Sequence, residues 1–321
     1  MKRYYLILIL SILCFKTTAQ KPIIFDNIHY VVSDSSVRNV AVDYFKTFFK
    51  GQEMAEQPMN PLTFINLIAL RPDEATFNIS VSGPFEGLQL GDINYLQREE
   101  SKSKTVIPPM YGVRWVAINT KSIKKTVKKL LQEGYNFAAE DFFLPTEPDA
   151  NAVAMYGFDN NIIVLVERPA LKSKTTFGID HLQLIVKNLE ENVKFYQDVL
   201  GAEIIDKIDR STVLKIGEQR FILSEPEALG LSREQVTERD SKKYSGNIDH
   251  LGFLYDEIEP AFYAAKANNY KIIVEPQSMV YFDKPTPYTV CILMSPDNLQ
   301  IDLEQEEGRL TARKISKEVK K

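Results

Sequence analysis

The chain has only three histidines, and each lies in the same kind of short segment. His29, His181 and His250 stand within FDNIHYVV, FGIDHLQL and GNIDHLGF. Positions 179, 181, 183 and 185 alternate with Asp180, Leu182 and Leu184, which is the period of two expected of a strand with one face turned into a pocket. Imidazoles on such a face can bind a metal ion, or they can be hydrogen-bonded residues of the core.

The elements that must position these histidines occur four times. A fourth segment, YGVRWVAI at 111–118, aligns with the other three and has Trp115 at the histidine position. A stretch with helical period follows each segment, at 37–50, 122–134, 189–201 and 258–269, and further short strands follow each helix. The sequence therefore predicts an internal repeat of four strand-helix units, each of roughly 70 to 85 residues.

The third unit has the clearest local signals. Apolar residues at 189, 193, 196, 199 and 200 form one stripe on a helix. Asn188 is placed to cap the start of this helix, and Gly201 stands where a left-handed residue would end it.

Composition limits the class of protein. The 321 residues are 44% hydrophobic, enough to bury one large or two medium cores. The formal net charge of −4 and the lack of a long internal basic run give no reason to expect nucleic acid as a partner. Cys14 precedes the predicted fold and Cys291 lies in a predicted strand, so we expect one buried, unpaired thiol.

The first nineteen residues have the pattern of a signal peptide. Lys2 and Arg3 give a positive start, residues 6–15 form the apolar part, and Thr17-Thr18-Ala19 provides a cleavage site. The apolar run is too short for a spanning helix, and no second run follows. We expect export, to the periplasm or outside the cell, of a protein without a membrane span.

Two motifs resemble those of a known family. FYQDVLGAE follows DHLQLIV in the third unit, and SPDNLQIDL lies near the end of the fourth. They resemble the vicinal oxygen chelate superfamily, which includes glyoxalase, bleomycin-resistance proteins and extradiol dioxygenases. The resemblance covers the third and fourth units clearly and the first two weakly. It implies an α+β fold of four βαβββ modules forming two cupped mixed-sheet pseudo-barrels, with a divalent metal in the cup.

In this scheme consecutive units pair with each other. We predict an N-terminal module pair over 20–169, a boundary at 170–176, a C-terminal pair over 177–304 and a polar tail over 305–321.

The family resemblance also implies a metal site. A ligand usually lies on the first strand of a module, and a carboxylate follows a PDGN-like segment in the last strand, where this chain has Asn298-Leu299 in place of Gly-Asn. His181, His250 and Asp302 are thus the expected metal ligands. Two imidazoles and one carboxylate leave up to three open positions on a six-coordinate ion, which suits non-haem Fe(II), although manganese or zinc could also use them.

The N-terminal pair has one of the corresponding ligands. His29 occupies the histidine position of the first unit, but the second unit has Trp115 there and Val164 at the carboxylate position. A metal-free first pair followed by a metal-bearing second pair is also the layout of extradiol dioxygenases and 4-hydroxyphenylpyruvate dioxygenase. The resemblance therefore favours a dioxygenase-like enzyme with a metal-free N-terminal half.

Other residues could complete the site. Tyr281 and Tyr288 are candidate catalytic phenols, or else ordinary aromatics at strand edges. Gln183 shares a strand face with the third-unit histidine and could contact substrate, or it could be an inward polar residue that needs a partner. Glu304 is an alternative carboxylate ligand because it shares the strand parity of the predicted one. Glu225 would be the fourth ligand of a glyoxalase-like site, which suits proton transfer on a chelating substrate.

The sequence thus predicts an exported metal-dependent enzyme, dioxygenase-like, that acts on a small chelating molecule. The alternatives are a glyoxalase-like lyase or isomerase, and a non-catalytic protein that binds a small molecule as bleomycin-resistance proteins do. We expect a monomer or a homodimer.

Overall fold

The computed structural model describes residues 24–32, 35–60, 63–71, 74–80, 89–90, 93–94, 109–132, 134, 137–139, 142–158, 161–170, 177–239, 248–279 and 288–306. The expected signal peptide and most of the expected polar tail lie outside these residues. None of the described helices is long and apolar enough to cross a membrane.

Four βαβββ units follow one another along the chain, as the repeat predicts. The first has β1 (Ile24–Val31), α1 (Ser35–Asp43) with a π-helical turn (Tyr44–Phe48), β2 (Gln52–Asn60), β3 (Thr63–Ala69) and β4 (Thr76–Ser80), and the short strands β5 (Gln89–Leu90) and β6 (Ile93–Asn94) follow. The second has β7 (Gly112–Thr120), α2 (Ile123–Gln132), β8 (Phe137–Ala139), β9 (Ala152–Tyr156) and β10 (Ile162–Glu167). The third has β11 (Gly178–Ile185), α3 (Leu189–Leu200), β12 (Glu203–Ile208), β13 (Ser211–Ile216) and β14 (Gln219–Ser224), then 3₁₀ turns at Pro226–Leu229 and Arg233–Gln235. The fourth has β15 (Ile248–Leu254), α4 (Glu259–Ala267), β16 (Ile272–Met279), β17 (Tyr288–Met294) and β18 (Gln300–Glu306).

The predicted start and end of α3 are confirmed. The Asn188 side chain accepts a hydrogen bond from the backbone N–H of Glu191, which satisfies one free donor of the first turn. Gly201 has φ of 60°, in the left-handed region that glycine adopts without steric cost, and its N–H bonds back to the last turn.

The units assemble into two mixed eight-stranded sheets that are not closed barrels. Sheet 1 has the strand order β16-β17-β18-β15-β1-β4-β3-β2, and sheet 2 has the order β12-β13-β14-β11-β7-β10-β9-β8. The expected fold class is confirmed. Sheet 1 combines the first unit with the fourth, and sheet 2 combines the second with the third.

This pairing differs from the expected division into consecutive pairs. In sheet 1, β1 and β15 are antiparallel neighbours; in sheet 2, β7 and β11 are. The repeat itself does not specify which units pair, because all four first strands have the same period of two.

One face of each sheet packs into a shared apolar core. Phe25 and Phe253 of sheet 1 contact Phe221 of sheet 2, with ring centroids 5.1 and 6.1 Å from that of Phe221. Leu182 and Leu251 are fully buried in the same core. Since side chains alternate across a strand, the histidine preceding each of these leucines points to the opposite face of its sheet.

The prediction of one buried, unpaired thiol is confirmed among the described residues. Cys291 is buried on β17 without a disulfide partner, and burial raises the pKa of its thiol to about 12.

A hydrogen-bonded clamp joins the first unit to sheet 2. The Arg71 guanidinium donates to the Phe177 carbonyl at 3.0 Å and to Asn119 Oδ1 at 2.7 Å. Glu74 pairs with Arg71 at 2.9 Å and accepts a hydrogen bond from the Ile179 N–H. Because both charged side chains are mostly buried, each depends on the other and on these backbone partners.

We expect Arg71→Ala to lower the free energy of unfolding by about 1–3 kcal/mol, because it removes the ion pair with Glu74 and the hydrogen bonds to Phe177 and Asn119. Urea denaturation of the variant measures this loss. The control is Lys215→Ala, which removes an exposed ion pair with Glu218 and should cost no more than about 1 kcal/mol. Equal losses in the two variants would contradict the assigned role of the clamp.

Candidate functional site

Four strands at the centre of sheet 1 present polar side chains on the face away from the shared core. β1 and β15 are antiparallel with His29 opposite His250, while β4 and β18 flank them in parallel. We call this surface the polar face. It contains the buried side chains of Asn27, His29, Thr76, Asn78, Ser80, His250, Gln300, Asp302 and Glu304.

Two imidazoles and one carboxylate meet on the polar face. The ring centroids of His29 and His250 are 4.4 Å apart. His250 Nε2 lies 3.5 Å from Asp302 Oδ2, and His29 Nε2 lies 2.8 Å from Ser80 Oγ. Ser80 lies beside Val31, two residues after His29, and Asp302 lies beside Gly252, two residues after His250. The two side chains therefore hold equivalent positions in their units.

The preceding aspartate orients His250. The Asp249 carboxylate accepts a hydrogen bond from His250 Nδ1 at 3.0 Å, which directs Nε2 toward Asp302. Burial lowers the pKa of His250, but the carboxylates of Asp302 and Asp249 outweigh it and raise that pKa above its usual value. A carboxylate on the far nitrogen is the usual means of fixing the tautomer and orientation of a metal-binding histidine.

A second buried carboxylate lies on the same face. Glu304 Oε1 accepts a hydrogen bond from Asn27 Nδ2 at 2.9 Å. These two side chains meet above Gly252, where an added Cβ would lie 2.1 Å from Asn27 Nδ2 and 2.6 Å from Glu304 Oε1. Glycine is thus required at this position because the polar side chains occupy the space of a Cβ.

An apolar wall flanks the polar face. Val274, Val290 and Ile292 on β16 and β17 form a buried cluster, and the last two lie opposite Glu304 and Asp302 in the strand register. The face therefore offers hydrogen bonds and charge beside an apolar surface, the usual composition of a small-molecule site.

The structure does not bring the predicted metal triad together. His181 lies on β11 in sheet 2, whereas His250 and Asp302 lie in sheet 1, and the histidines point to faces on opposite sides of the shared core. Asp180 accepts a hydrogen bond from His181 Nδ1 at 2.8 Å. His181 Nε2 is buried and has no hydrogen-bond partner among the residues that the structure describes.

The surroundings of His181 differ from the polar face. Neighbouring strands present Trp115, Ala117, Ala152, Ala154, Val164 and Val166, a buried apolar cluster that also includes Leu144. Val164 is beside Ala117, and Ile222 is beside Gln183, at the positions that Ser80 and Asp302 hold in sheet 1.

The charged side chains near His181 form ion pairs with one another. Arg168 pairs with Asp180 at 2.8 Å and with Glu147 at 2.6 Å. Arg220 pairs with Glu147 at 2.5 Å. Burial raises the pKa of Asp180, but His181 and Arg168 outweigh it and hold that pKa well below its usual value.

The two faces differ in their fit to the divalent metal that the family resemblance implies. Within the described ranges, no group of three or more His, Cys, Asp and Glu side chains is arranged to hold a metal ion as it stands. The polar face nevertheless has a suitable set of donors in His29, His250 and Asp302. The 3.5 Å between His250 Nε2 and Asp302 Oδ2 is close to the roughly 3 Å expected between neighbouring ligands of one six-coordinate ion. Around His181, apolar residues stand at the corresponding positions, so that face does not fit.

Other predicted site residues have separate surroundings. Gln183 Nε2 donates to the Ile222 carbonyl and to Ser224 Oγ, so its amide tethers β11 to β14. Glu225 pairs with Arg233 at 3.2 Å, next to a surface pocket. Tyr281 lies outside the described residues, as does the side chain of Tyr288.

The turn before Asp302 contains a left-handed residue. Asn298 has φ of 60°, a conformation that asparagine adopts more readily than most residues. Asp297 beside it accepts hydrogen bonds from the Lys187 N–H.

Part of the sequence matches a family model, and the fold is similar to that of solved structures. Residues 178–285 match the family model described as Glyoxalase/Bleomycin resistance protein/Dioxygenase superfamily. Glyoxalase I from Zea mays superposes with a TM-score of 0.65 at 13% identity, covering 92% of this chain and 95% of that chain. A Bacillus subtilis protein provisionally named a dioxygenase superposes with a TM-score of 0.58 at 10% identity, covering 90% and 87%. No curated protein matches the sequence. At these identities, likeness to the solved structures shows the fold.

We expect Gly252→Ala to break the Asn27–Glu304 hydrogen bond and to lower the free energy of unfolding by about 1–3 kcal/mol, as overpacking usually does. The control is Gly157→Ala, whose methyl group would meet the end of the Ile163 side chain at 3.1 Å. Urea denaturation compares the two variants. A Gly252→Ala protein as stable as the control would show that the polar face is less tightly packed than described.

Proposed function

We propose, from the match of residues 178–285 to the Glyoxalase/Bleomycin resistance protein/Dioxygenase superfamily model, that this chain is a metal-dependent enzyme with its active site on the polar face. The substrate is a small chelating molecule, and the reaction is dioxygenase-like. The supporting observation is that His29, His250 and Asp302 converge on one buried surface.

His29, His250 and Asp302 would hold the metal. Superfamily members commonly use divalent ions, and two imidazoles with one carboxylate suit Fe(II), Mn(II) or Zn(II). With three protein ligands, such an ion would supply a Lewis acid with open positions for both oxygens of a chelating substrate and, in the case of iron, for O₂.

The surrounding residues would position this chemistry. Asp249 holds the Nδ1 proton of His250, so Nε2 is directed at the site. Ser80, hydrogen-bonded to His29, is a neutral donor at the position where Asp302 lies in the other unit. The wall of Val290 and Ile292 would contact the apolar part of a substrate and exclude water from it.

A glyoxalase-like lyase or isomerase is the second candidate. Glu304 favours it, because this buried carboxylate lies on the polar face beside the proposed ligands. Glu304 could be a fourth ligand or could move a proton on the bound substrate. Oxygen consumption on addition of catechols and related chelating substrates distinguishes the two reactions, since only the dioxygenase consumes O₂.

Export of the protein stays a prediction. It rests on Lys2, Arg3 and the apolar stretch before Ala19, and sequencing the amino terminus of the protein recovered from its cells would test it.

The metal content of the purified, untagged protein tests the proposal. Elemental mass spectrometry should find close to one divalent ion per chain. We expect His250→Ala and Asp302→Ala to lower this occupancy at least about tenfold, since each removes a ligand.

The matched control is His181→Ala, which alters the same Asp-His motif in sheet 2. This variant should keep its metal. Loss of metal from the His181→Ala variant alone would show that the metal site lies in sheet 2 and would contradict the proposal. Absence of metal from every protein after anaerobic reconstitution would favour a non-catalytic binding protein of the bleomycin-resistance type.

A further inference from the structure

A groove of about 1010 Å³ runs along the outside of sheet 2, between α2 and the segment 142–153. None of the residues of the polar face lines it. Its size is at the upper end of the range for pockets that hold small molecules.

One face of α2 forms the first wall. Lys124, Val127, Lys128 and Leu131 line the groove, at the spacing that places side chains on one side of a helix. The opposite side of α2 faces the protein, where Leu130 is fully buried. Leu131 is 57% exposed, so it is an apolar side chain on the face of α2 that does not pack against the protein.

Apolar side chains form the second wall. Phe142, Phe143 and Pro148 lie across the groove from α2. Phe143 is 64% exposed, so two large exposed apolar side chains, Leu131 and Phe143, line the same groove. Paired exposure of this kind marks a binding surface more often than isolated exposed residues do.

Among the described residues that line the groove, two lysines and one glutamate give a net positive charge. Lys124 and Lys128 are exposed on α2. Glu167 is the acidic residue among the described lining residues, and its carboxylate accepts the N–H of Ile123 in the first turn of α2. Lys124 lies in the first turn of α2, and Lys128 lies one turn before Leu131, so positive charge and apolar surface are adjacent in the groove.

We propose that this groove binds a small amphipathic anion, a free carboxylate or sulfonate attached to an apolar chain or ring. The acid group pairs with Lys124 and Lys128, and the apolar part lies against Leu131 and Phe143. This binding is independent of the metal chemistry assigned to the polar face.

The chain contains a reporter for this site. Trp115 is its single tryptophan, and Phe142 packs edge-on against it with ring centroids 5.0 Å apart. Because Phe142 also lines the groove, a ligand that contacts Phe142 changes the surroundings of the indole.

The test is a titration with monomeric octanoate, followed by tryptophan fluorescence and by calorimetry. Octanoate should bind saturably, and octyltrimethylammonium, which has the same tail and the opposite charge, should bind at least about tenfold more weakly. The double variant Lys124→Glu, Lys128→Glu should weaken octanoate binding at least about tenfold. Leu131→Gln should weaken it through the apolar contact.

The matched control is Lys125→Glu, which reverses an exposed charge on α2 outside the groove and should change affinity less than about twofold. Equal binding of the cation, equal effects of the Lys125 and Lys124/Lys128 changes, or no calorimetric signal with octanoate would overturn the proposal. Binding to phosphatidylglycerol vesicles without binding to octanoate would also overturn it, in favour of a membrane surface.

Discussion

The antiparallel pairing of β1 with β15 is the interaction on which the candidate site depends. It joins the first and last units of the chain and sets His29 opposite His250. The parallel neighbours β4 and β18 then bring Ser80 and Asp302 to the same face. These strands are more than two hundred residues apart in sequence, so the site forms only when the long intervening chain has closed this contact.

Alternation of side chains separates two roles within each sheet. Leu182 and Leu251 face the shared core, while His181 and His250 face away from it. The two outward faces then diverge in chemistry. Sheet 1 keeps buried donors and carboxylates that hydrogen-bond to one another, whereas sheet 2 surrounds its histidine with Trp115 and other apolar residues. The two outward faces thus differ: one contains two buried imidazoles and two buried carboxylates, and the other surrounds its histidine with apolar side chains and ion pairs.

Local features of the sequence predicted much of the fold. The repeat, the Asn188 cap, the Gly201 stop and the buried Cys291 depend on neighbouring residues or on periodicity, and the structure confirms them. The pairing of units could not be obtained in this way, because all four first strands have the same period of two. The prediction of consecutive pairs therefore grouped His181 with His250 and Asp302, although His181 lies in sheet 2, and did not include His29, which lies opposite His250.

One signal in the sequence could have corrected the pairing. At the positions equivalent to Asp302, the second and third units have Val164 and Ile222, whereas the first has Ser80.

Anomalous diffraction from crystals grown with Mn²⁺ would locate the metal directly. If the polar face alone holds it, as we propose, one strong peak should lie within bonding distance of His250 and Asp302. A peak beside His181, or none at full occupancy of the salt, would contradict this proposal.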